Sequence, residues 1–151
     1  MMTPLNLARI AKLIALFGFV LPWVLVSCAG EPVGRVSGLD LATGGLGSHH
    51  ADPNWWVAVS LAAVIAGLVL SFVLAARAAF VAVGAAALLA LAASVVGVAS
   101  ATAPRTPPAP SPASSSAARV ELQYGYFVTI AGLLTAIGAC GAGLGRSRAS
   151  A

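Results

Sequence analysis

Two long apolar runs that carry no charge constrain this chain more than any other feature of its sequence. They cover residues 55–76 and 78–101, and only Arg77 separates them. A helix needs roughly 20 apolar residues to cross a hydrocarbon core of about 30 Å, because it rises about 1.5 Å per residue. Both runs reach this length, so the sequence predicts two membrane-spanning helices joined by a tight turn.

Two further apolar runs extend the prediction to four spans. The first covers residues 10–28, with Lys12 near its start and Pro22 near its end, and the last covers residues 122–144. Pro22 is expected to kink the first helix, because proline removes one backbone hydrogen bond. The predicted fold is therefore all-α, with the whole chain (1–151) forming one four-helix transmembrane bundle.

Composition supports the membrane assignment. The 151 residues are 60% hydrophobic and only 8% charged, whereas soluble domains carry about 25% charged residues. The formal net charge is +4, but the basic residues are scattered and form no patch that could follow a nucleic-acid backbone. Membrane lipid is therefore the expected surrounding of this chain, and nucleic acid is not an expected partner.

The charged residues predict the orientation of the four spans. Five basic residues fall on one side of the membrane: Arg9, Lys12, Arg77, Arg146 and Arg148. The other side holds all the acidic residues and three arginines: Glu31, Asp40, Asp52, Glu121, Arg35, Arg105 and Arg119. Basic residues that flank spans are retained in the cytoplasm. We therefore expect a multi-pass protein of a bacterial inner membrane with both termini cytoplasmic.

The aromatic residues agree with this orientation. Tryptophan and tyrosine favour the headgroup level of a membrane. Five of them lie toward the external ends of the predicted spans: Trp23, Trp55, Trp56, Tyr124 and Tyr126. The sequence therefore predicts a one-sided aromatic belt.

The two longer loops are predicted to be external. Residues 29–54 are rich in glycine and turn-forming residues and include a weakly alternating segment. A second alternating segment directly precedes the last span, and the two are expected to form a small two-stranded β element. Residues 103–118 consist largely of proline, serine and alanine, a composition that predicts an extended flexible linker.

The end of the first span allows a second interpretation. The sequence LVSC at Leu25 to Cys28 matches the lipobox of bacterial lipoproteins, in which the leader is cleaved and the cysteine is acylated. An uncleaved span is favoured, because Pro22 and Trp23 interrupt the apolar region and three further spans follow. Lipidation at Cys28 is the alternative.

Polar candidates for a chemical site are few. His49, His50 and Asp52 form a compact group in the first loop. They are weak candidates for a metal site, because adjacent histidines point in different directions. We interpret them as solvated loop residues and expect no metal, no cofactor and no catalytic residue.

The predicted span interiors contain no ionisable residue, which argues against an ion-coupled transporter. Their hydroxyl groups are expected to bond within or between helices. These hydroxyls belong to Ser60, Ser71, Ser94, Thr129 and Thr135. Cys140, which lies between two glycines of the last span, is expected to be a small packing residue. With no nucleophile and base at one depth, an enzyme is not expected.

Small residues carry a packing signal in the last span. Gly141 and Gly145 form a GxxxG pair, and Gly132 and Gly138 lie on the same predicted helix. Such residues let helix backbones approach closely in lipid, where no hydrophobic effect drives association. We predict that they pack the helices of one chain against each other, with self-association as the alternative.

Three segments of the sequence resemble a known pattern. LPWVLVSC ends the first predicted span, SGLDLATG follows in the first loop, and LQYGYFVT opens the last span. They resemble the LPW-and-cysteine, SGxxLAxG and QYG motifs of small bacterial four-span inner-membrane proteins. The order of the spans and loops is also similar to the claudin-like topology. The resemblance implies a four-span architecture and brings no activity, because the claudin-type tryptophan and paired cysteines are missing from the first loop.

Together these features predict a small non-enzymatic membrane protein with an accessory or envelope-associated role, which meets a membrane-protein partner or a second copy of itself. The predicted interaction residues lie in two external groups: Ser37, Gly38, Leu39 and Asp40, and Glu121, Gln123, Tyr124 and Tyr126. A small transporter or pore is the alternative from another functional class.

Overall fold

The computed structural model describes residues 3–28, 31–45, 52–74, 76–102 and 119–149. Within them the chain forms five helices and three strands, in this order: α1 (Pro4–Val20), β1 (Pro22–Cys28), β2 (Glu31–Ser37), α2 (Gly38–Thr43), α3 (Trp55–Val73), α4 (Ala76–Thr102), β3 (Arg119–Leu122) and α5 (Tyr124–Ala149). The predicted flexible linker, residues 103–118, lies outside the described residues.

Three helices are long and apolar enough to cross a membrane. The qualifying segments are Trp55–Val73 in α3, Ala78–Ser100 in α4 and Tyr124–Gly145 in α5. The prediction of a multi-pass membrane protein is confirmed at this level. Helix α1 has 17 residues, which cover only about 25 Å, and it is not among the three.

The helices begin where the sequence provides capping groups. Thr3 precedes α1 and accepts a hydrogen bond from the backbone N–H of Asn6 at 3.3 Å, with Pro4 at the first helical position. Asn54 precedes α3 and accepts hydrogen bonds from the backbone N–H groups of Trp56 and Val57. These caps satisfy N–H groups that a helix start leaves without a partner.

The predicted first span, residues 10–28, is wrong in its second half. Helix α1 ends at Val20, and the chain continues as strand β1 from Pro22. Proline disfavours helical backbone angles in the residue before it, and Leu21 accordingly has extended angles. Pro22 therefore ends the helix instead of kinking it, and the apolar residues that follow form a strand.

The small sheet has three antiparallel strands in the order β2-β1-β3. Val24 in β1 pairs with Val36 in β2 on one side and with Leu122 in β3 on the other. The predicted β element from the first loop and the segment before the last helix is thus present, but its two strands do not pair directly. Strand β1, which was predicted to be helical, lies between them.

The helices pack in two antiparallel pairs, α1 with α5 and α3 with α4, and α4 also contacts α5. The first pair is close because Gly132 of α5 lies against Ala11 and Ala15 of α1. A Cβ atom added at Gly132 would lie 2.8 Å from the Ala11 carbonyl oxygen. The sheet and α2 cover one end of the bundle, called the sheet end below. The opposite end, where Arg9 lies, is called the Arg9 end.

Candidate functional site

The Lys12 side chain is buried inside the helix bundle. Lys12 lies in the middle of α1, is 0% exposed, and its amine rests on Gly67 of α3, where a Cβ atom would overlap it. Gly67 lies six positions before Val73, the last residue of α3, so the amine lies about 9 Å inside that helix end.

Within the described part of the chain, the Lys12 amine has no hydrogen-bond partner. Nor does the sequence supply an acidic side chain near it. All the acidic residues belong to β2, α2, β3 or the segment before α3 at the sheet end: Glu31, Asp40, Asp52 and Glu121. A charged group without a partner in an apolar interior is costly, and a residue at such a position is a candidate for a functional site.

The three helices long enough to cross a membrane contain no Asp, Glu, Lys, Arg or His within their qualifying segments, as the sequence predicts, but Lys12 is buried in the helix that covers the start of the predicted first span. The prediction placed Lys12 at the entrance of the first span, whereas Lys12 lies midway along α1 (Pro4–Val20). The sequence contained a signal for this position. Ala8, Ala11 and Ala15 mark the small-residue face of the helix at spacings of three and four, and Lys12 falls on that face.

Arg9 lies one turn before Lys12 on α1 and also reaches α3. Its Nε donates to the Ser71 hydroxyl at 3.3 Å, and one Nη donates to the Ser71 carbonyl oxygen. The guanidinium lies over the Phe72 ring, 4.2 Å from the ring centroid, in a cation–π arrangement. Because a cation near a helix C-terminus is favourable, Arg9 is well accommodated at the end of α3, unlike the unpartnered Lys12.

The hydroxyl groups of the spans bond as predicted. The Ser60 hydroxyl lies 2.7 Å from the Ser94 hydroxyl and so links α3 to α4. Ser71, Thr129 and Thr135 each donate to a carbonyl oxygen of their own helix. These groups are therefore accounted for by helix packing.

The three strands and α2 together form a cap over the sheet end of the bundle. The centre of this cap is Trp23, which is fully buried. Its indole Nε1 donates to the Gly18 carbonyl oxygen at 2.9 Å. The Phe19 ring lies 4.7 Å from the indole centroid and the Tyr126 ring 5.6 Å from it. Gly38, the first residue of α2, lies directly against the indole, where a side chain would clash.

The predicted aromatic belt is therefore wrong for Trp23, because the turn from α1 into β1 brings its ring into the core. Tyr126 is half-buried beside it. Trp55, Trp56 and Tyr124 do lie exposed at the sheet end, with 72%, 47% and 54% of their surfaces accessible. These three rings can occupy a membrane interface.

The first predicted interaction group, Ser37 to Asp40, is largely engaged within the cap. The Asp40 carboxylate accepts hydrogen bonds from the backbone N–H of Ser37 at 3.1 Å and from its hydroxyl at 2.7 Å. Together with the Ser37 cap of α2 this is a capping box. Gly38 is buried and Leu39 is half-buried. These residues therefore stabilise the start of α2, and little of their surface is free for a binding partner.

The second predicted group is more accessible. Glu121 and Tyr124 are exposed, whereas Gln123 and Tyr126 are half-buried. The backbone N–H of Gln123 donates to the Trp23 carbonyl oxygen at 2.8 Å and so fixes the start of α5 to β1. Leu122, which lies between these residues, is 41% exposed. Glu121, Leu122 and Tyr124 form one exposed strip of the cap.

Cys28 is the last residue of β1 and pairs with Glu31 of β2. Cleavage before Cys28 would remove α1 and nearly all of β1, including the buried Lys12, Phe19 and Trp23. The lipoprotein alternative would therefore require a different fold, and lipidation of Cys28 stays a prediction. Cys140 is a buried free cysteine.

Of the weak metal candidates, His49 and His50 lie outside the described residues, and Asp52 is exposed. Over the ranges that the structure describes, no three His, Cys, Asp or Glu side chains are grouped so that they could hold a metal ion.

The glycines of α5 divide into two groups. Gly132 packs against α1, as predicted, whereas Gly138, Gly141 and Gly145 have nothing within 4 Å of an added Cβ. The prediction that these three pack the helices of one chain is wrong, because they lie on the outer face of α5. Gly143, which was not singled out, instead faces Phe80 of α4.

No known protein family, curated protein or solved structure matches this chain.

Proposed function

We propose that the chain is a small non-enzymatic protein of a bacterial inner membrane, in which α1 forms a fourth span beside the three long apolar helices. The contact of α1 with α5 supports this arrangement. Gly125 near the start of α5 lies against Leu21, and Gly132 lies against Ala11 and Ala15. Helix α1 thus accompanies the apolar part of α5 over most of its length.

In this proposal the Arg9 end faces the cytoplasm, because basic residues near spans are retained there and all acidic residues lie at the sheet end. Reporter fusions test the orientation. A fluorescent protein fused after Ala151 should fold in the cytoplasm, and alkaline phosphatase inserted within residues 103–118 should be active outside it. A non-fluorescent fusion after Ala151 together with an inactive phosphatase would contradict the proposed orientation, and both reporters on the same side would contradict the crossing of the membrane by α5.

The role supported best is that of an accessory protein whose cap meets a partner chain. The observation that carries this proposal is the fixed cap. Strand β1 pairs with both other strands, and the backbone N–H of Asn54 donates to the Leu41 carbonyl oxygen at 2.8 Å, which ties α2 to the start of α3. A fixed cap presents the strip Glu121, Leu122 and Tyr124 in one geometry, as a specific interface requires.

Purification from native membranes in mild detergent, with identification of bound chains, tests this role. Tyr124→Ala and Glu121→Lys should each reduce recovery of the same partner. Leu134→Ala is the matched control, because Leu134 is also 54% exposed but lies farther along α5, away from the cap. Recovery of the wild-type chain alone and monomeric, or an equal loss with Leu134→Ala, would contradict the accessory role.

A small transporter is the second candidate function, and the buried Lys12 is the observation that favours it, since ionisable groups inside a bundle often belong to transport pathways. Proteoliposomes that contain the wild-type chain should then pass protons or small anions faster than protein-free vesicles. Lys12→Met should abolish the difference, whereas Arg35→Gln at the sheet end should not. Flux equal to that of empty vesicles would exclude this candidate.

A further inference from the structure

We propose that Arg9 and Lys12 form a binding site for the phosphate group of an anionic ligand. The two residues lie one turn apart on α1 and face Ser71 and Gly67, which lie one turn apart on α3. These four residues define a seam between the two helices, with Arg9 and Ser71 on its side nearer the Arg9 end. The proposal is independent of any partner at the cap.

The charge balance of the seam points to an anion. It contains a guanidinium and a fully buried amine that has no hydrogen-bond partner among the described residues. The sequence places every acidic side chain at the opposite end of the bundle. An anion bound beside Arg9 would supply the counter-charge that the described acidic side chains do not place next to Lys12.

Arg9 retains donors for such an anion. A guanidinium has five N–H groups in a planar fork that matches the oxygens of a phosphate. Three hydrogen bonds of Arg9 are present in the structure, to the Ser71 hydroxyl, the Ser71 carbonyl oxygen and, at 3.5 Å, the Asn6 amide oxygen. The remaining donors can bind a ligand without loss of these contacts.

The Lys12 amine can reach an anion bound by Arg9 if its side chain rotates toward the Arg9 end. It lies three residues deeper than Arg9, or about 4.5 Å along the helix axis. Long basic side chains extend toward the headgroup level while their apolar stems stay buried. In the structure the amine occupies the space that Gly67 leaves open, and rotation toward Arg9 would place both cations on one phosphate.

Two sources could supply this phosphate, a lipid headgroup or a soluble phosphate ester. Basic pockets between membrane helices commonly bind lipid headgroups, and the exposed Phe72 ring beside Arg9 offers an apolar contact for an acyl chain. The three probes that separate the sources are phosphatidic acid, diacylglycerol with the same acyl chains, and glycerol 3-phosphate.

Native mass spectrometry of the delipidated full chain in non-ionic detergent measures the binding of each probe. We expect phosphatidic acid to bind the wild type and diacylglycerol to bind much more weakly. Each basic group near a membrane surface contributes about 1 kcal/mol to such binding, so Lys12→Met and Arg9→Gln should each weaken it about fivefold. Arg35→Gln, which removes a charge at the sheet end, should bind as the wild type does.

Thermal unfolding keeps the test valid if a variant is less stable. A ligand that binds only the folded state raises the melting temperature, so phosphatidic acid should raise it for the wild type and for Arg35→Gln but less for Lys12→Met. Glycerol 3-phosphate binding with the same dependence on Lys12 would support the site and assign it a soluble ligand. Equal binding of phosphatidic acid by the wild type and Lys12→Met, or equal binding of phosphatidic acid and diacylglycerol, would overturn the proposal.

Discussion

The indole nitrogen of Trp23 donates a 2.9 Å hydrogen bond to the carbonyl oxygen of Gly18, and this bond closes the turn at which α1 ends and β1 begins. The backbone N–H of Leu21 donates to the same oxygen at 3.2 Å. A helix end leaves its last carbonyl groups without partners, and a buried carbonyl without a partner is costly. Trp23 therefore satisfies the helix end and fills the centre of the cap with the same side chain.

Trp23→Phe should destabilise the protein by about 1 to 2 kcal/mol. The substitution keeps an aromatic ring, but it removes the indole donor and leaves a void where the larger ring was. Thermal unfolding in detergent, followed by circular dichroism, measures the effect. The matched control is Trp55→Phe, because Trp55 is 72% exposed and surface substitutions usually change stability by less than about 0.5 kcal/mol. Equal shifts for the two variants would refute the assigned role of Trp23.

The long apolar helices could be predicted from the sequence because a charge-free run of that length has few alternatives in lipid. Backbone groups there must be bonded within the segment, which favours a helix. Residues 21–28 were different, since a short apolar run is compatible with both helix and strand. Pro22, followed by the β-branched Val24 and Val26, was the local signal for a strand. The pairing with β2 and β3, which settles the choice, is not a local property.

The candidate site was harder to predict than the fold. The burial of Lys12 depends on Gly67, a glycine far away in the sequence whose missing side chain makes room for the amine. The outward orientation of Gly141 and Gly145 likewise depends on which face of α5 meets α1 and α4. A GxxxG spacing identifies a helix face suited to close contact, but it does not identify which helix, if any, packs against that face.

Gly132→Ala should destabilise the chain by about 1 to 3 kcal/mol, as overpacked substitutions do. The added Cβ would lie 2.8 Å from the Ala11 carbonyl oxygen, a backbone atom that cannot move without shifting α1. Gly141→Ala is the control, because nothing lies within 4 Å of its added Cβ, and it should leave stability unchanged or raise it slightly. Melting temperatures of the two variants in one detergent decide the matter. Similar losses for both would mean that α1 and α5 are not held by this contact.

Asn54→Ala should cost about 1 to 2 kcal/mol, because Asn54 performs two tasks. Its side-chain oxygen accepts hydrogen bonds that cap α3, and its amide nitrogen donates to the Gly97 carbonyl oxygen of α4 at 2.9 Å. Loss of an N-cap alone typically costs about 1 kcal/mol, and the lost contact with α4 adds to it. Asp52→Ala, at an exposed position two residues before Asn54, should have little effect on stability. A melting temperature that falls equally in both variants would show that Asn54 has no such role.

The contact between Lys12 and Gly67 predicts strong coupling in a double-mutant cycle. Gly67→Ala should be destabilising in the wild-type background, because the new Cβ would overlap the Lys12 amine. Its cost should be smaller in a Lys12→Ala background, where the amine is absent, although the Ala86 methyl group, 2.8 Å from the new Cβ, opposes the substitution in both.

Residues that share one space typically show interaction energies of about 0.5 to 3 kcal/mol, whereas independent sites add to within about 0.5 kcal/mol. Unfolding free energies of the four proteins in neutral detergent give the coupling, and Gly138→Ala, an open position on α5, should add independently to Lys12→Ala. If Gly67→Ala were also additive with Lys12→Ala, the amine would not rest on Gly67. A side chain other than Lys12 would then have to lie against Gly67 in the seam between α1 and α3.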